Sequence, residues 1–280
     1  MNETILLTVL VENTVRCRGL KAEHGLAFHL QVGRQSLLFD TGQSDLVTEN
    51  ARLLSVDLTA LDAVAISHGH YDHIGGLSAV RGLAPGAVLR AHPTALIRRF
   101  ARNPNGTTRL VGIPDTIQEI TSPDASPFCA NSSPAEVLPG VFLTGEVPRR
   151  VNFEDVGGPF VLDEAGTRPD PIEDDQALFF DSREGVVVLL GCAHAGVVNT
   201  LRYIRELTGG RPIYAVLGGM HLLTASPERM ERTVDVLREL RVHKLGPAHC
   251  TGAAATARLW SEFPVELVDC SVGTRFVFHQ

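Results

Sequence analysis

The chain has 280 residues, of which 44% are hydrophobic and 20% are charged, so it can bury a sizeable core and belongs to neither the disordered nor the fibrous class. With 25 Lys and Arg against 32 Asp and Glu, its formal charge of -7 argues against nucleic acid as a partner.

The first residues predict a strand and not a signal peptide. The apolar run from Ile5 to Val11 is short, is interrupted by Thr8 and follows Glu3 where a signal peptide has Lys or Arg. The other apolar runs are too short to span a bilayer. Five cysteines without C-x-x-C spacing favour a reducing compartment. We therefore expect a cytoplasmic protein with no membrane partner.

The predicted elements begin as short strands. Residues 3–11, 26–32 and 35–39 are rich in strand formers and are separated by turn residues, which indicates an antiparallel meander. Residues 61–67 predict a buried strand, and a helix is predicted from Gly75 onward. The run SHGHYDHIGG lies between that strand and that helix.

The second half of the chain repeats a unit of buried strand, histidine-bearing loop and helix. After the loop that carries His194, apolar residues recur at helical spacing: Val197, Leu201, Ile204 and Leu207. After the loop that carries His221, Ser226 with Pro227 suits a helix start. The segments VELVD and TRFVFH predict closing strands. The strand-bearing segments before them cover residues 141–145, 176–181, 185–191, 212–219 and 244–252.

Residues from about 93 to 139 differ from the rest because they are rich in Pro, Asn, Thr and Ser. We interpret them as an insertion with one helix, at ALIRRFAR, and long loops of the kind that is functional or mobile. The sequence thus predicts a single domain over residues 1–280 with an insertion at about 93–139.

Four ligand-type side chains lie close together in SHGHYDHIGG: His68, His70, Asp72 and His73. An extended segment puts His68 and His70 on one face, so one metal ion can take both imidazoles. A turn at Tyr71 lets Asp72 and His73 address a second ion. The donors suit one or two divalent ions, with zinc favoured and iron or manganese as alternatives.

The pattern H-x-H-x-D-H behind a hydrophobic strand resembles the signature of the metallo-β-lactamase superfamily. The resemblance covers nearly the whole chain and implies an α/β (α+β) fold, an αββα sandwich with the site at one edge of two facing sheets. FDTG at residues 39–42 resembles the early aspartate turn of that family, which implies that Asp40 orients a ligand histidine. A plain turn aspartate is the alternative.

Further strings resemble one subgroup, the dihydropterin-ribofuranosylaminobenzene-phosphate synthase-like metal-dependent hydrolases. These strings are EHGLAF, LFDTG, LTGEVPR, GCAHAG, LGGMHL and HCTG.

The sequence departs from the superfamily pattern after its first motif. Typical members carry a bridging aspartate in a Gly-Asp turn, but the strand-end turn at residues 191–194 reads GCAH. We infer that His194 is a ligand, and that His221 and His249 supply the others because each follows a buried strand. Without a bridging carboxylate, the number of metal ions stays open.

Three residues near these motifs are left out of the expected ligand set. Cys192 and Cys250 are expected to be small buried residues beside the site, with soft ligands or reactive thiols as alternatives. His24 is expected to be a solvated loop histidine.

This ligand set predicts hydrolysis by a metal-activated water. Asp72 and His194 are the predicted catalytic residues, with Asp72 placed to orient the attacking hydroxide and a histidine available to assist proton transfer. Arg149, which follows a strand end in LTGEVPRR, predicts a contact with an anionic substrate group such as a phosphate. A solvated basic corner is the equal alternative.

Two functions fit these observations. The first is a metal-dependent hydrolase of a small, phosphorylated or ester-containing metabolite. The second, implied by the subgroup, is a transferase-type synthase that condenses a dihydropterin with a ribofuranosyl-aminobenzene phosphate. The intact ligand set disfavours a non-catalytic metal module, and the acidic charge disfavours a nuclease. The expected partner is a small-molecule substrate, and the oligomeric state stays open.

Overall fold

The structure is a computed structural model that describes residues 4–113 and 127–280. Its strands within these ranges are β1 (Thr4–Val11), β2 (Ala27–Val32), β3 (Gln35–Phe39), β4 (Ala63–Ala65), β5 (Val88–Ala91), β6 (Phe100–Arg102), β7 (Thr108–Leu110), β8 (Phe128–Ala130), β9 (Ala135–Leu138), β10 (Val141–Leu143), β11 (Phe160–Val161), β12 (Ala177–Ser182), β13 (Gly185–Leu190), β14 (Ile213–Gly219), β15 (Lys244–Ala248) and β16 (Arg275–His279). The described α-helices are Leu46–Leu53, Tyr71–Ile74, Leu77–Leu83, Val197–Leu207, Pro227–Glu239 and Ala253–Glu262. Two 3-10 turns cover Pro93–Leu96 and His249–Thr251.

Two large sheets form the centre of the fold. The first has the strand order β16-β1-β2-β3-β4-β5-β8, and the second has the order β15-β14-β13-β12-β10-β9. A small third sheet has the order β11-β6-β7. Its strands β6 and β7 lie in the predicted insertion, and β11 comes after it in the chain. The meander of β1, β2 and β3 is antiparallel, as predicted from the turn residues between them.

The two large sheets pack face to face. Ile5, Leu7 and Val9 alternate along β1 and belong to the same buried cluster as Leu178 and Leu189 of the second sheet. This follows from the two-residue period of a strand, which sends alternate side chains to one face. Each fully buried side chain of this size contributes roughly 1.5–3 kcal/mol of transfer free energy.

The outer faces of both sheets are covered by helices. Leu38 and Val64 pack with residues of helices Leu46–Leu53 and Leu77–Leu83. On the far side, Val188 packs with residues of the last three long helices. The predicted αββα order is therefore confirmed. Among the described residues, no helix is both long and apolar enough to cross a bilayer.

Two local predictions were wrong. The segment ALIRRFAR does not form a helix, because residues 93–96 form a 3-10 turn and β6 pairs with both β7 and β11. The segment VELVD does not form a strand, and only Leu267 makes an isolated bridge, to Leu245. In both places pairing with distant residues overrides the local pattern. Residues 114–126 of the predicted insertion lie outside the described residues.

Candidate metal centre

The candidate site lies where parallel strands of both large sheets end. β3 and β4 run parallel in the first sheet, and β13, β14 and β15 run parallel in the second. The carboxyl ends of parallel strands lie at one edge of a sheet, where the connecting loops can meet. The segments that follow these strands carry Asp40, His68, His70, Cys192, His194, His221 and His249.

A single helical turn brings the other two motif residues into the site. The helix Tyr71–Ile74 begins directly after His70, and it buries the side chains of Asp72 and His73. The carbonyl oxygen of His73 accepts hydrogen bonds from the amide and the hydroxyl of Thr41, at 2.7 and 3.0 Å. The turn after β3 therefore fixes the position of this helix relative to the first sheet.

One carboxylate holds two of the histidines. The Oδ2 atom of Asp40 lies 2.7 Å from Nδ1 of His73. The same oxygen accepts a 2.7 Å hydrogen bond from the hydroxyl of Ser67, whose oxygen lies 2.9 Å from Nδ1 of His68. Because Nδ1 of each ring donates toward an oxygen, its Nε2 atom is left as the metal-binding atom.

Two more histidines are held in the same way. Nδ1 of His194 donates to the carbonyl oxygen of Val156 at 2.7 Å, and Nδ1 of His249 lies 2.9 Å from Oδ1 of Asn13. Nε2 of His194 is buried and has no hydrogen-bond partner among the described residues. These contacts again leave Nε2 as the free atom of each ring.

The free nitrogen atoms converge in pairs. Nε2 of His68 lies 3.0 Å from Nδ1 of His70, and Nε2 of His73 lies 3.2 Å from Nε2 of His249. Two nitrogen ligands of one tetrahedral zinc ion, each bonded at about 2.0–2.1 Å, are about 3.3 Å apart. Two nitrogen atoms this close must share a proton or a metal ion, and their spacing is near that of two ligands of one ion, so the donor set fits a divalent metal ion.

The histidines of the site differ in protonation, and this affects how readily each can bind a metal ion. Burial, reinforced by neighbouring imidazoles, holds the pKa of His68 and of His194 well below the ordinary value, so both rings are neutral. Burial opposes the charge of His73, but Asp40 and then Asp72 raise its pKa to about 9. The proton on His73 in the metal-free site thus competes with a metal ion for the same nitrogen.

The carboxylate of Asp72 lies among cationic and imidazole groups. Burial opposes its charge, but His73, followed by hydrogen bonds from His24 and His249, holds the pKa of Asp72 well below its usual range. Oδ2 of Asp72 lies 3.1 Å from Nε2 of His249 and 3.1 Å from Nε2 of His24. Asp72 is therefore an anionic donor.

Several loop residues around the site have left-handed backbone conformations. The φ angles are 62° at Asp40, 55° at Ala193, 47° at His221 and 50° at His249. This region disfavours residues with a Cβ atom, and such strain is typical of functional sites whose surroundings enforce it. Packing and hydrogen bonds therefore hold these loops in place.

The predicted ligands form two groups of three with His221 beside them. The first triple is His68, His70 and His194, in which Nε2 of His68 lies 3.0 Å from Nδ1 of His70 and the ring centre of His194 lies 4.7 and 4.9 Å from those of His68 and His70. The second triple is Asp72, His73 and His249, in which Nε2 of His249 lies 3.2 Å from Nε2 of His73 and 3.1 Å from Oδ2 of Asp72. Nε2 of His221 lies 3.2 Å from the carbonyl oxygen of Gly157, and its ring centre is 4.2 Å from that of His194. His221 lies next to the thiols of Cys192 and Cys250 and not inside either triple.

Arg149 lies elsewhere than expected for a substrate contact. Its guanidinium donates to the carbonyl oxygen of His194 at 2.8 Å and to those of Pro171 and Ile172. It lines a small cavity of about 220 Å³ and not the larger cavity over the metal centre. Backbone carbonyls need donors, and Arg149 supplies them to the loop that carries His194.

Sequence reasoning left out four residues that contribute to the site. His24 is half exposed and reaches Asp72, although a lone histidine before β2 gave only a weak signal. Cys192 is buried, and its sulfur lies 3.2 Å from Nε2 of His73; its place directly after a strand was the available signal. Arg99 and Asp174, a buried ion pair at 2.7 Å, support the loop between His68 and His70, since Asp174 accepts a 2.6 Å hydrogen bond from the amide of Gly69.

A cavity of about 800 Å³ opens over both triples. Its wall includes two arginines, Arg16 and Arg109, and three aromatic side chains, Tyr71, Phe160 and Trp260. The wall also carries the carboxylates of Glu12, Asp72 and Asp269. A cavity of this size accommodates a small organic molecule.

The sequence model of the metallo-beta-lactamase superfamily matches residues 21–249. The 7,8-dihydropterin-6-methyl-4-(beta-D-ribofuranosyl)-aminobenzene-5'-phosphate synthase of Methanocaldococcus jannaschii is 30% identical over 253 residues, which cover 86% of this chain and 85% of that protein. The solved structure of Tm1679, a metal-dependent hydrolase of the beta-lactamase superfamily, superimposes with a TM-score of 0.82 and 32% identity, over 97% of this chain and 98% of that one.

A more distant structure shows the same fold. The metallo-beta-lactamase fold protein YhfI of Bacillus subtilis superimposes with a TM-score of 0.62 at 15% identity, over 99% of this chain and 100% of that one. This comparison agrees with the fold of two facing sheets, and the family model matches most of the chain. The chain therefore belongs to the metallo-β-lactamase superfamily.

Proposed function

We propose that this protein is a dinuclear metal-dependent hydrolase of a small metabolite that carries a phosphate or an ester. The observation that carries the proposal is the convergence of two buried donor triples beneath one cavity of about 800 Å³. The proposal assigns a cytoplasmic location and a small-molecule partner, with no role for nucleic acid or membranes, in keeping with the acidic charge.

In this proposal His68, His70 and His194 hold the first metal ion, and Asp72, His73 and His249 hold the second. A bound zinc ion, or iron or manganese in its place, supplies Lewis-acid activation of water and of the bond under attack. Asp72 and His194 are then catalytic residues because, as metal ligands, they would fix the position of the metal ions relative to the substrate. Asp40 acts through His73 and Ser67 and is a positioning residue.

The substrate is oriented by the cavity wall. Burial and then the charge of Asp72 raise the pKa of Tyr71, and the charge of Arg109, on β7, opposes that rise, which places Arg109 near this phenol. Tyr71 directly precedes Asp72, so Arg109 stands at the entrance to the metal centre. We assign the anion-binding role to Arg109, because the guanidinium of Arg149 is already bound to backbone carbonyls.

His24 is placed to move a proton. Its Nε2 atom lies 3.1 Å from Asp72, and the hydrogen bond to Asp72 raises the pKa of His24, while burial opposes that effect. In hydrolysis the water oxygen forms a bond to phosphorus or carbon, the ester bond breaks, and the leaving oxygen takes up a proton. His24 donates that proton from the cavity side.

The test compares two leaving groups in the metal-loaded enzyme. His24→Gln is expected to slow hydrolysis of an alkyl phosphodiester or alkyl ester by about 10²-fold or more, while a p-nitrophenyl ester, whose leaving group needs no proton, is little affected. His243→Gln, at a histidine that stacks on Tyr214, is the matched control. Equal losses of activity on both substrates would contradict the proton-donor role of His24. If the wild-type enzyme hydrolyses no such substrate, the proposed activity itself is contradicted.

The second candidate is the synthase reaction. It is favoured by the 30% identity to the dihydropterin-aminobenzene-phosphate synthase and by a cavity with Tyr71, Phe160 and Trp260 in its wall, against which flat rings can stack. Incubation of the metal-loaded enzyme with a dihydropterin and a ribofuranosyl-aminobenzene phosphate distinguishes the two. Formation of a coupled product supports the synthase, and hydrolysis of simple esters without coupling supports the hydrolase.

A further inference from the structure

Cys192 lies between the two donor triples. It follows β13 and Gly191, and its side chain is 3% exposed. Its sulfur, with one ligand atom each of His68 and His194, forms a group whose members all lie within 4.8 Å of one another. The same sulfur forms a second such group with His73 and His249. Among the described residues, these two groups share Cys192.

The distances around the second triple lie within about 0.3 Å of those in a four-coordinate site that includes this sulfur. Nε2 of His73 lies 3.2 Å from the sulfur of Cys192, 3.2 Å from Nε2 of His249 and 3.9 Å from Oδ2 of Asp72. Oδ2 of Asp72 lies 3.1 Å from Nε2 of His249. A tetrahedral zinc ion with bonds of about 2.0–2.3 Å holds its ligand atoms about 3.3–3.8 Å apart.

The first triple offers an independent sign of the same role. Nε2 of His194 is fully buried and has no hydrogen-bond partner among the residues that the structure describes. One ring nitrogen of His194 lies within 4.8 Å of the sulfur of Cys192. A cysteine that only fills space is surrounded by apolar groups. Cys192 instead faces imidazole nitrogens on two sides.

We propose that the thiolate of Cys192 is a ligand shared by both metal positions and takes the bridging place for which the sequence offers no carboxylate. The inference rests on the proposed dinuclear centre. Cys192 releases its proton to solvent when the metal ions bind, and the sulfur then supplies negative charge between two cations. A thiolate in this place favours zinc or another borderline to soft ion over manganese or magnesium.

Cys250 is the competing sulfur. It lies 3.6 Å from the carbonyl oxygen of Cys192 and belongs to a group with Cys192 and His221 within 4.8 Å. It is not part of either group that contains the histidines of the two triples. Substitution of each cysteine by serine therefore separates the two sulfurs, and the exposed Cys17 provides a third variant as the control.

The test is ¹¹³Cd NMR of the full chain loaded with cadmium, because cadmium signals move strongly downfield when a thiolate is bound. The proposal predicts two signals in the thiolate region, both of which move upfield in Cys192→Ser and neither of which moves in Cys17→Ser. Movement of one signal alone would make Cys192 a terminal ligand and overturn the bridge. Movement of both signals in Cys250→Ser, with none in Cys192→Ser, would overturn the assignment altogether.

A second readout uses cobalt in place of cadmium. The cobalt(II)-loaded wild-type protein is expected to show a sulfur-to-cobalt charge-transfer band in the near ultraviolet, and Cys250→Ser is expected to keep it. A wild-type protein that binds cobalt without this band contradicts the thiolate ligand while leaving the proposed metal centre intact. A wild-type protein that takes up neither metal contradicts the proposed metal centre itself.

Discussion

The Oδ2 atom of Asp40 lies 2.7 Å from Nδ1 of His73, and both side chains are fully buried. The same oxygen accepts the hydroxyl hydrogen of Ser67, which in turn contacts His68. One carboxylate thus orients a histidine of each donor triple, and its own backbone is held at a φ of 62°. Asp40 is the residue through which the turn after β3 connects the two donor triples.

Replacement of Asp40 tests this coupling. We expect Asp40→Asn to lower the affinity for divalent metal about 10- to 100-fold, because an amide has one acceptor oxygen and its NH2 group would face either the donors at Oδ2 or the backbone N–H of Ser67 at Oδ1. Competition with a chromophoric chelator measures this affinity. Asp181→Asn, at an exposed carboxylate paired with Arg211, is the control and is expected to bind metal as the wild type does. An unchanged affinity in Asp40→Asn contradicts the positioning role.

Gly69 separates the two histidines of the motif, and a methyl group has no room there. A Cβ atom at Gly69 would lie 1.9 Å from the carbonyl oxygen of Ala95, so the backbone must move. We expect Gly69→Ala to reduce metal binding and to lower the free energy of unfolding by about 1–3 kcal/mol.

The matched control is Gly82→Ala, in the helix Leu77–Leu83, where a Cβ atom meets nothing within 4 Å. That variant is expected to be stabilised by about 0.4–1 kcal/mol, because alanine favours a helix and restricts the unfolded chain. Urea unfolding and metal titration of both variants give the comparison. Equal behaviour of the two alanine variants would contradict the steric account of Gly69.

Arg99 is a buried cation between two carboxylates. It lies 2.7 Å from Asp174 and 3.4 Å from Asp170. We expect Arg99→Met to lower the free energy of unfolding at pH 7 by about 3–5 kcal/mol, since both carboxylates lose their buried partner.

The loss in Arg99→Met has a predicted pH dependence. Burial raises the pKa of Asp170, and the charge of Arg99 opposes that rise. Without Arg99 the pKa of Asp170 rises further, so this carboxylate becomes protonated at a higher pH and its buried charge is lost. The difference in the free energy of unfolding between wild type and variant therefore shrinks as the pH falls. Urea unfolding of wild type and variant at several pH values measures it, and a deficit that grows toward acid contradicts the account.

His29, on β2, gives a prediction away from the site. Burial, followed by the charge of Arg275, lowers the pKa of His29 from 6.5 to about 4. The folded state therefore binds fewer protons than the unfolded state between these values, and stability is lost as the pH falls through this window. Relative to His29→Gln, the wild type is expected to lose up to about 3 kcal/mol between pH 7 and 4. Parallel stability curves of the two proteins would contradict this.

The sequence predicts those features of the fold that depend on local pattern. Apolar runs predict the strands that precede His68, His194, His221 and His249. Each of these histidines comes where its strand ends and a loop begins. The position of each histidine along the chain therefore indicated a shared edge of the two sheets.

Features that depend on contacts between distant segments could not be predicted. Arg99 lies in a segment whose pattern predicts a helix, yet its burial and pairing with Asp174 come from contacts across 75 residues of chain. From the sequence, Cys192 is expected to be a small buried residue. In the structure its sulfur lies within 4.8 Å of ligand atoms of histidines that follow strands of both sheets. The role of His24 appears only when the loop before β2 meets Asp72.

Metal content and hydrolysis measured together on wild type and on the variant with His68→Ala and His70→Ala test the central claim most directly. The account predicts that the purified wild type retains divalent metal after desalting and hydrolyses an ester or phosphodiester. The double variant is expected to lose the metal of the first triple and the activity with it. Unchanged metal content and unchanged activity in the double variant would contradict the account.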